Sequence, residues 1–266
     1  MRTPSLGDRV AIVTGASAGI GRAAAEALAA RGAAVVVAAR RQDRLDGLAA
    51  EIRGRGGRAL AVVADVAVEA DVDALVEAAL REYGRLDVMV CNAGYGVNGS
   101  LEEVPTEQMR ALLEVNYLGT WHGARAALPV FRRQQAGHLI IVSSIVGRRG
   151  APYMGAYCAT KFAQVGLAES LRAELAGTPI HVSLVYPVAT DTEFQPVMQA
   201  VSGGRAFLSQ GPHQSAERVG RAIADCVERP VVEVFPYRPA RGLVLLSVIA
   251  PRFVDRMMRR YGRRRA

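Results

Sequence analysis

Along most of the chain, apolar runs of four to eight residues alternate with longer stretches of helical period. Residues 9–14, 34–39, 58–64, 86–91, 138–143, 180–186 and 231–235 are rich in Val, Ile, Leu and Ala, most of them nearly without interruption. Parallel strands covered on both faces have this pattern. Between them, helical period predicts helices near 20–31, 44–53, 71–83, 106–134, 154–176 and 215–228. Strand and helix in this repeated order predict an α/β fold, a doubly wound parallel sheet of about seven strands with helices on both faces. No internal repeat and no Pro/Gly/Ser linker divides the pattern, so residues 1–237 are expected to form one domain. Residues 188–213 break the alternation and contain Ser202-Gly203-Gly204 and Gly211-Pro212. An irregular stretch of that length is expected to be a lid over the substrate. The last apolar run, 242–250, is shorter than the ~20 residues a membrane span requires.

Composition narrows the class. Of 266 residues, 50% are hydrophobic and 22% charged, which excludes a disordered chain. Cys91, Cys158 and Cys226 are far apart and form no C-x-x-C pair, so neither a metal site nor a disulfide framework is expected. A reducing, cytoplasmic setting fits, and the short polar start of the chain does not read as a signal peptide. The net charge of +8 belongs to one segment: residues 1–237 carry 24 basic and 24 acidic side chains, whereas 238–266 carry nine Arg and one Asp. This segment reads as a basic amphipathic extension, with Phe253, Met257 and Tyr261 at i, i+4 and i+8. It is a candidate for peripheral contact with an anionic membrane, for covering the cleft, or for a subunit interface. It lacks base-reading motifs and aromatic interleaving, so no nucleic-acid partner is expected. Of the 33 basic residues, 32 are Arg and one, Lys161, is Lys.

Four places carry candidate chemistry. Strand 9–14 runs into Thr14-Gly15-Ala16-Ser17-Ala18-Gly19-Ile20-Gly21 and then into an Ala-rich helix. Such a turn brings a diphosphate to backbone N–H groups at a helix N-terminus, although a turn with incidental glycines has the same spelling. Nineteen residues after Gly21 the second strand ends in Arg40-Arg41, where an NAD site would place a carboxylate. Two guanidiniums there match the 2′-phosphate of NADP, or are simply solvated charges at a helix start. Ser143 and Ser144 end another strand. Tyr157 and Lys161, spaced i, i+4, share a helix face, where an ammonium would lower the phenol pKa toward the range of a general acid/base. Taken alone, Y-x-x-x-K also occurs by chance.

With these motifs in this order the chain resembles the short-chain dehydrogenases/reductases over about residues 8–236. The resemblance rests on T-G-x-x-x-G-x-G at 14–21, Asp65-Val66, Asn92-Ala93-Gly94, Asn116, Ser144, Tyr157 with Lys161, and Pro187. It implies a Rossmann fold and an NADP(H)-dependent oxidoreductase that interconverts a carbonyl and an alcohol. It further implies that Tyr157 transfers the proton of the substrate oxygen, Ser144 holds that oxygen, and Lys161 binds the nicotinamide ribose and tunes Tyr157. Asn116 would anchor a water leading from Lys161 to solvent. The implied cofactor-binding residues are Gly15, Ser17, Gly19, Ile20 and Gly21 in the turn and Arg40 and Arg41 at the 2′-phosphate. Asp65 and Val66 would lie near the adenine and Asn92, Ala93 and Gly94 along the middle, while Pro187, Thr190 and Thr192 would lie near the carboxamide, with Tyr157 and Lys161 at the ribose. A homodimer or homotetramer built through helices 106–134 and 154–176 is also implied.

The chain departs from the family pattern at Val188, where Gly is usual, and in the extension. The expected substrate wall, Tyr95, Val97, Tyr153, Met154, Val188, Phe194, Met198 and Phe207, is apolar and fits a small or apolar carbonyl compound. A different class, a catalytically idle dinucleotide sensor or membrane-tethered binder, would keep the scaffold without needing the Asn-Ser-Tyr-Lys set. An epimerase or dehydratase that uses its cofactor transiently is a further alternative.

Overall fold

The computed structural model describes residues 6–205 and 211–258. Strands β1 (Val10–Thr14), β2 (Ala34–Ala39), β3 (Arg58–Val63), β4 (Val88–Cys91), β5 (Gly137–Val142) and β6 (Ile180–Val185) follow the apolar runs. The residues just after Cys91 and Val142 leave the ladder and enter the cleft. The run 231–235 contributes only β9 (Glu233–Val234). All pair in parallel, in the order β3-β2-β1-β4-β5-β6-β9, giving the Rossmann-type sheet.

The central strands are buried on both faces because they are apolar at most positions, and successive side chains then feed two separate cores. Val10 and Ile12 join Leu75, Phe131 and Leu171 on one side. Ala11 and Val13 join Leu28, Leu48 and Ile223 on the other. The first layer is built by α3 (Glu69–Tyr83), α5 (Gly119–Gln134) and α6 (Gly155–Glu174), and the second by α1 (Gly19–Ala29), α2 (Gln42–Gly54) and α8 (Ala216–Glu228). Strand order reverses between β1 and β4, which opens a crevice at the carboxyl ends of the strands. The segments starting at Thr14, Arg40, Asp65, Asn92, Ser143 and Pro187 all leave the sheet at that edge.

Two expectations change, while the helical extension is found as expected. The single helix expected over 106–134 is α4 (Thr106–Leu113) and α5, joined by a π-helical turn, Glu114–Leu118, that contains Asn116. Helical period does not register the extra residue of such a turn. The stretch 188–213 is less irregular than expected, with β7 (Ala189–Asp191) pairing with β8 (His213–Ser215) and a helix, α7 (Phe194–Val201). Gly and Pro signals at its centre hide two short elements. Beyond β9, the extension forms α9 (Ala240–Ile249) and α10 (Pro251–Met258). Tyr261 and Phe207 lie outside the described residues.

Candidate active site

The crevice is a cleft of about 1050 Å³ lined by residues of every segment named above. Its floor is the glycine turn. Gly15 has φ +66°, and a Cβ there would sit 2.8 Å from the Ala93 Cα. At Gly21 a Cβ would come within 2.3 Å of the Gly15 carbonyl oxygen. Only glycine permits this tight turn beneath the start of α1, and Gly19 and Ile20 continue it into the helix. The turn is held from β4: Asn92 Nδ2 donates to the Thr14 carbonyl at 2.9 Å, and Thr14 Oγ1 accepts from the N–H groups of Asn92 and Ala93 at 3.0 and 3.1 Å. Asn92 thus braces the cradle, while Ala93 and Gly94 line the cleft.

Both arginines expected at a phosphate stand at this end. Arg41 donates to the Ser17 hydroxyl at 3.0 Å, and Arg40 lies 3.8 Å from Asp65. Glu193, which sequence reasoning missed, forms ion pairs with Arg41 at 3.0 Å and Arg44 at 2.9 Å. Hydrogen bonds from these arginines hold its carboxyl below the usual range. The contact joins residues about 150 positions apart, so no local signal marks it. Asp65 caps its own turn by accepting from the Ala67 N–H, and Val66 packs against Gly119 at the start of α5. A glycine cradle, facing guanidiniums and a cleft of this size fit a nicotinamide dinucleotide.

At the other end α6 presents Tyr157 and Lys161 on one face, both buried. The Lys161 ammonium lies 5.7 Å from the centroid of the Tyr157 ring. The Ser144 hydroxyl stands by the Tyr157 phenol and donates to the Pro187 carbonyl at 3.4 Å. Ser143 is turned away and donates to the Lys161 carbonyl at 3.0 Å. Burial pushes the Tyr157 phenol above its ordinary value, and the neighbouring Ser144 hydroxyl offsets this only in part. Burial also lowers Lys161 to about 7. The lowered phenol pKa expected from the spacing is therefore not seen in this structure. Desolvation of a fully buried ring outweighs an ammonium that itself is desolvated and directed at the Val142 carbonyl, 3.0 Å away.

Lys161 has a second partner that the motifs did not reveal. Its ammonium donates to Gln164 Oε1 at 3.1 Å, and Gln164 Nε2 donates to the Asn116 carbonyl and to Thr120 Oγ1, both at 2.7 Å. The link from Lys161 to Asn116 thus runs through a side-chain amide. The Asn116 side chain is used structurally, donating to the Tyr95 carbonyl and Thr160 and accepting from the Tyr95 N–H. The i, i+3 spacing of Gln164 from Lys161 on the same helix permits this contact but does not by itself mark it.

The outer wall is apolar. Tyr95, Met154, Val188 and Phe194 face the cleft, whereas Val97 and Met198 sit behind them in a small core with Tyr157. Tyr153 is not among the lining residues. The ring of Phe194, at the start of α7, lies 5.5 Å from that of Tyr157. Thr190 and Thr192 also line the cleft, with Thr190 Oγ1 donating to the Val188 carbonyl at 2.9 Å. Leu243, Met257 and Met258 of the extension complete the wall, a contribution absent from the expected set.

Comparison with known proteins agrees with this architecture. A family model described as short chain dehydrogenase matches residues 9–201. The chain is 33% identical over 261 residues to the uncharacterized oxidoreductase YxnA of Bacillus subtilis (strain 168), covering 97% of this chain and 73% of that one. A short chain dehydrogenase/reductase from Burkholderia phymatum, solved in complex with NAD, superposes with a TM-score of 0.83 at 26% identity, covering 92% of this chain and 94% of the other. An alcohol dehydrogenase from the archaeon Thermococcus sibiricus, complexed with 5-hydroxy-NADP, superposes with a TM-score of 0.75 at 31% identity, covering 85% and 95%. With its sequence matched over residues 9–201 and its backbone superposing on a solved member, the chain belongs to the short-chain dehydrogenase/reductase family of oxidoreductases.

Proposed function

We propose that the protein is an NADP(H)-dependent oxidoreductase that interconverts a ketone or aldehyde and the corresponding alcohol on a small or apolar substrate. The observation that carries this reading is the buried Tyr157 phenol, beside Ser144 and flanked by Lys161, in the wall of an apolar cleft whose floor is a glycine cradle. The cofactor, held by the glycine turn with Arg40 and Arg41, would supply the hydride when reduced. Ser144 donates a hydrogen bond to the substrate oxygen, and Tyr157 transfers that oxygen's proton. A phenol held above its ordinary pKa keeps its proton at neutral pH, which suits donation to a carbonyl oxygen. The Lys161 ammonium then stabilises the phenolate that remains.

Preference for the phosphorylated cofactor is supported by Arg40 and Arg41 at the end of β2, with no carboxylate to meet a ribose 2′-hydroxyl. The two structural relatives hold NAD in one case and a modified NADP in the other, so these arginines of the chain itself carry the choice. Three unpaired, buried cysteines suit a reducing, cytoplasmic setting. Exposed Trp121 on α5 and Phe162 on α6 support a homodimer or homotetramer built through those helices.

The test is a fluorescence titration with NADPH and NADH, followed by turnover with apolar carbonyl compounds. NADPH is expected to bind more tightly than NADH. Tyr157→Phe is expected to lower turnover by about 100-fold or more, the scale of one general acid, while NADPH binding stays within about twofold. Full turnover without the phenol would remove the mechanism, and tighter binding of NADH would remove the cofactor assignment.

A further inference from the structure

We infer that the helix pair α9–α10 docks the protein on an anionic lipid bilayer. A helix that folds onto a core turns its apolar side inward. α9 buries Ala240 and Val244 in this way but is apolar on its outer side as well. Ser247 is buried, donating its hydroxyl to the Val244 carbonyl at 2.7 Å, while Val248 and Ile249 are 76% and 82% exposed. Leu245 and, on α10, Phe253 are 57% exposed as well. Exposed apolar side chains gathered on adjoining helices mark a surface that is covered by something.

Charge selects what covers it. Arg241, Arg252 and Arg256 are exposed beside these side chains, and residues 238–266 hold nine Arg and one Asp. That Asp, Asp255, is ion-paired with Arg149, so cations predominate beside the apolar groups. A second copy meeting it across a two-fold axis would set arginines against arginines. The rest of the chain has no net charge to offset them. A bilayer with anionic headgroups supplies both the apolar interior and the opposite charge, which is how amphipathic helices lie in an interface. Among the described residues no helix is long and apolar enough to cross a membrane, so the contact is peripheral.

The inner side of the same pair carries Leu243, Met257 and Met258, which line the cleft. Docking would therefore bring the apolar mouth of the cleft to the lipid, a direct route for an apolar substrate. This last step rests on the oxidoreductase reading; the docking itself does not.

The experiment is co-sedimentation of the purified full-length protein with phosphatidylcholine vesicles, with and without phosphatidylglycerol. Binding is read without cofactor or substrate, so its failure is separable from failure of the enzymatic reading. The protein is expected to sediment with phosphatidylglycerol-containing vesicles only, and to be released at about 0.5 M salt. The double variant Val248→Asp/Ile249→Asp is expected to lose binding about tenfold or more at an unchanged unfolding temperature. No sedimentation of the unaltered protein, or equal sedimentation of the variant, overturns the inference. So does a dimer that this variant dissociates in analytical ultracentrifugation without vesicle binding, since the face would then join two copies of the chain.

Discussion

Lys161 is the one lysine of the chain, and it occupies the one position where a compact, tunable ammonium is chemically distinct from a guanidinium. Its environment is set by Gln164, whose Oε1 accepts from the ammonium and whose Nε2 is fixed by Asn116 and Thr120. Burial alone lowers Lys161 to about 7, so the charged form is present below that pH and lost above it. An acceptor on the ammonium favours the charged form. Gln164→Leu is therefore expected to move the alkaline limb of the reductive pH–rate profile to lower pH, and Gln164→Glu to move it to higher pH. Identical limbs in all three proteins would make Gln164 a packing residue only. The pairing of Tyr157 with Lys161 was legible from spacing because a helix fixes the face of an i, i+4 pair, whereas the choice of Ser144 over Ser143 came from the family resemblance. Gln164 was not legible, because an amide three residues from a lysine says nothing until Asn116, from another helix, is placed against it.

Among the elements, α7 and its N-terminal residue Glu193 show how a segment of weak pattern acquires a role. Glu193 ties the start of α7 to Arg41 and Arg44 across the cleft, occupying guanidinium valences that a 2′-phosphate would also seek. The pairs are half exposed and hence weak. Glu193→Gln is expected to tighten NADPH about two- to fivefold, the scale of an exposed ion pair, and to leave NADH unchanged. An equal change for both cofactors in equilibrium titration would show that Glu193 does not compete with the phosphate. The seven strands of the main sheet were read correctly along the chain because nearly uninterrupted Val/Ile/Ala runs admit little else, while the short β7 and β8 were missed. The π-helical turn at Glu114–Leu118 was hidden because the partners of Asn116, Gln164 at its carbonyl and Thr160 at its side chain, lie on α6.

At the scale of the whole molecule, the buried sheet carries a titratable group of its own. His138 on β5 is buried, its Nε2 2.8 Å from the Ser183 hydroxyl. Burial, with smaller contributions from His181 and Arg9, lowers its pKa to about 3. The unfolded chain binds this proton near the ordinary value of about 6.5, so between the two values the unfolded state holds more protons and stability falls as pH falls. The loss is up to ~1.4 kcal/mol per pH unit within that window. His138→Gln keeps a donor for Ser183 and is expected to flatten the decline between about pH 6 and pH 4 in denaturant titrations. A decline as steep as that of the unaltered protein would assign acid sensitivity elsewhere. The sequence by itself determined the sheet, its helical layers, the glycine turn and the shared face of Tyr157 and Lys161, since each follows from periodicity or from spacing within one element. Only the tertiary structure decided that Gln164 closes the path from Lys161 to Asn116, that Glu193 meets the arginines, and that α9 leaves Leu245, Val248 and Ile249 exposed. Each of these depends on which distant surfaces come together at the carboxyl edge of the sheet, and a linear pattern does not contain that distance.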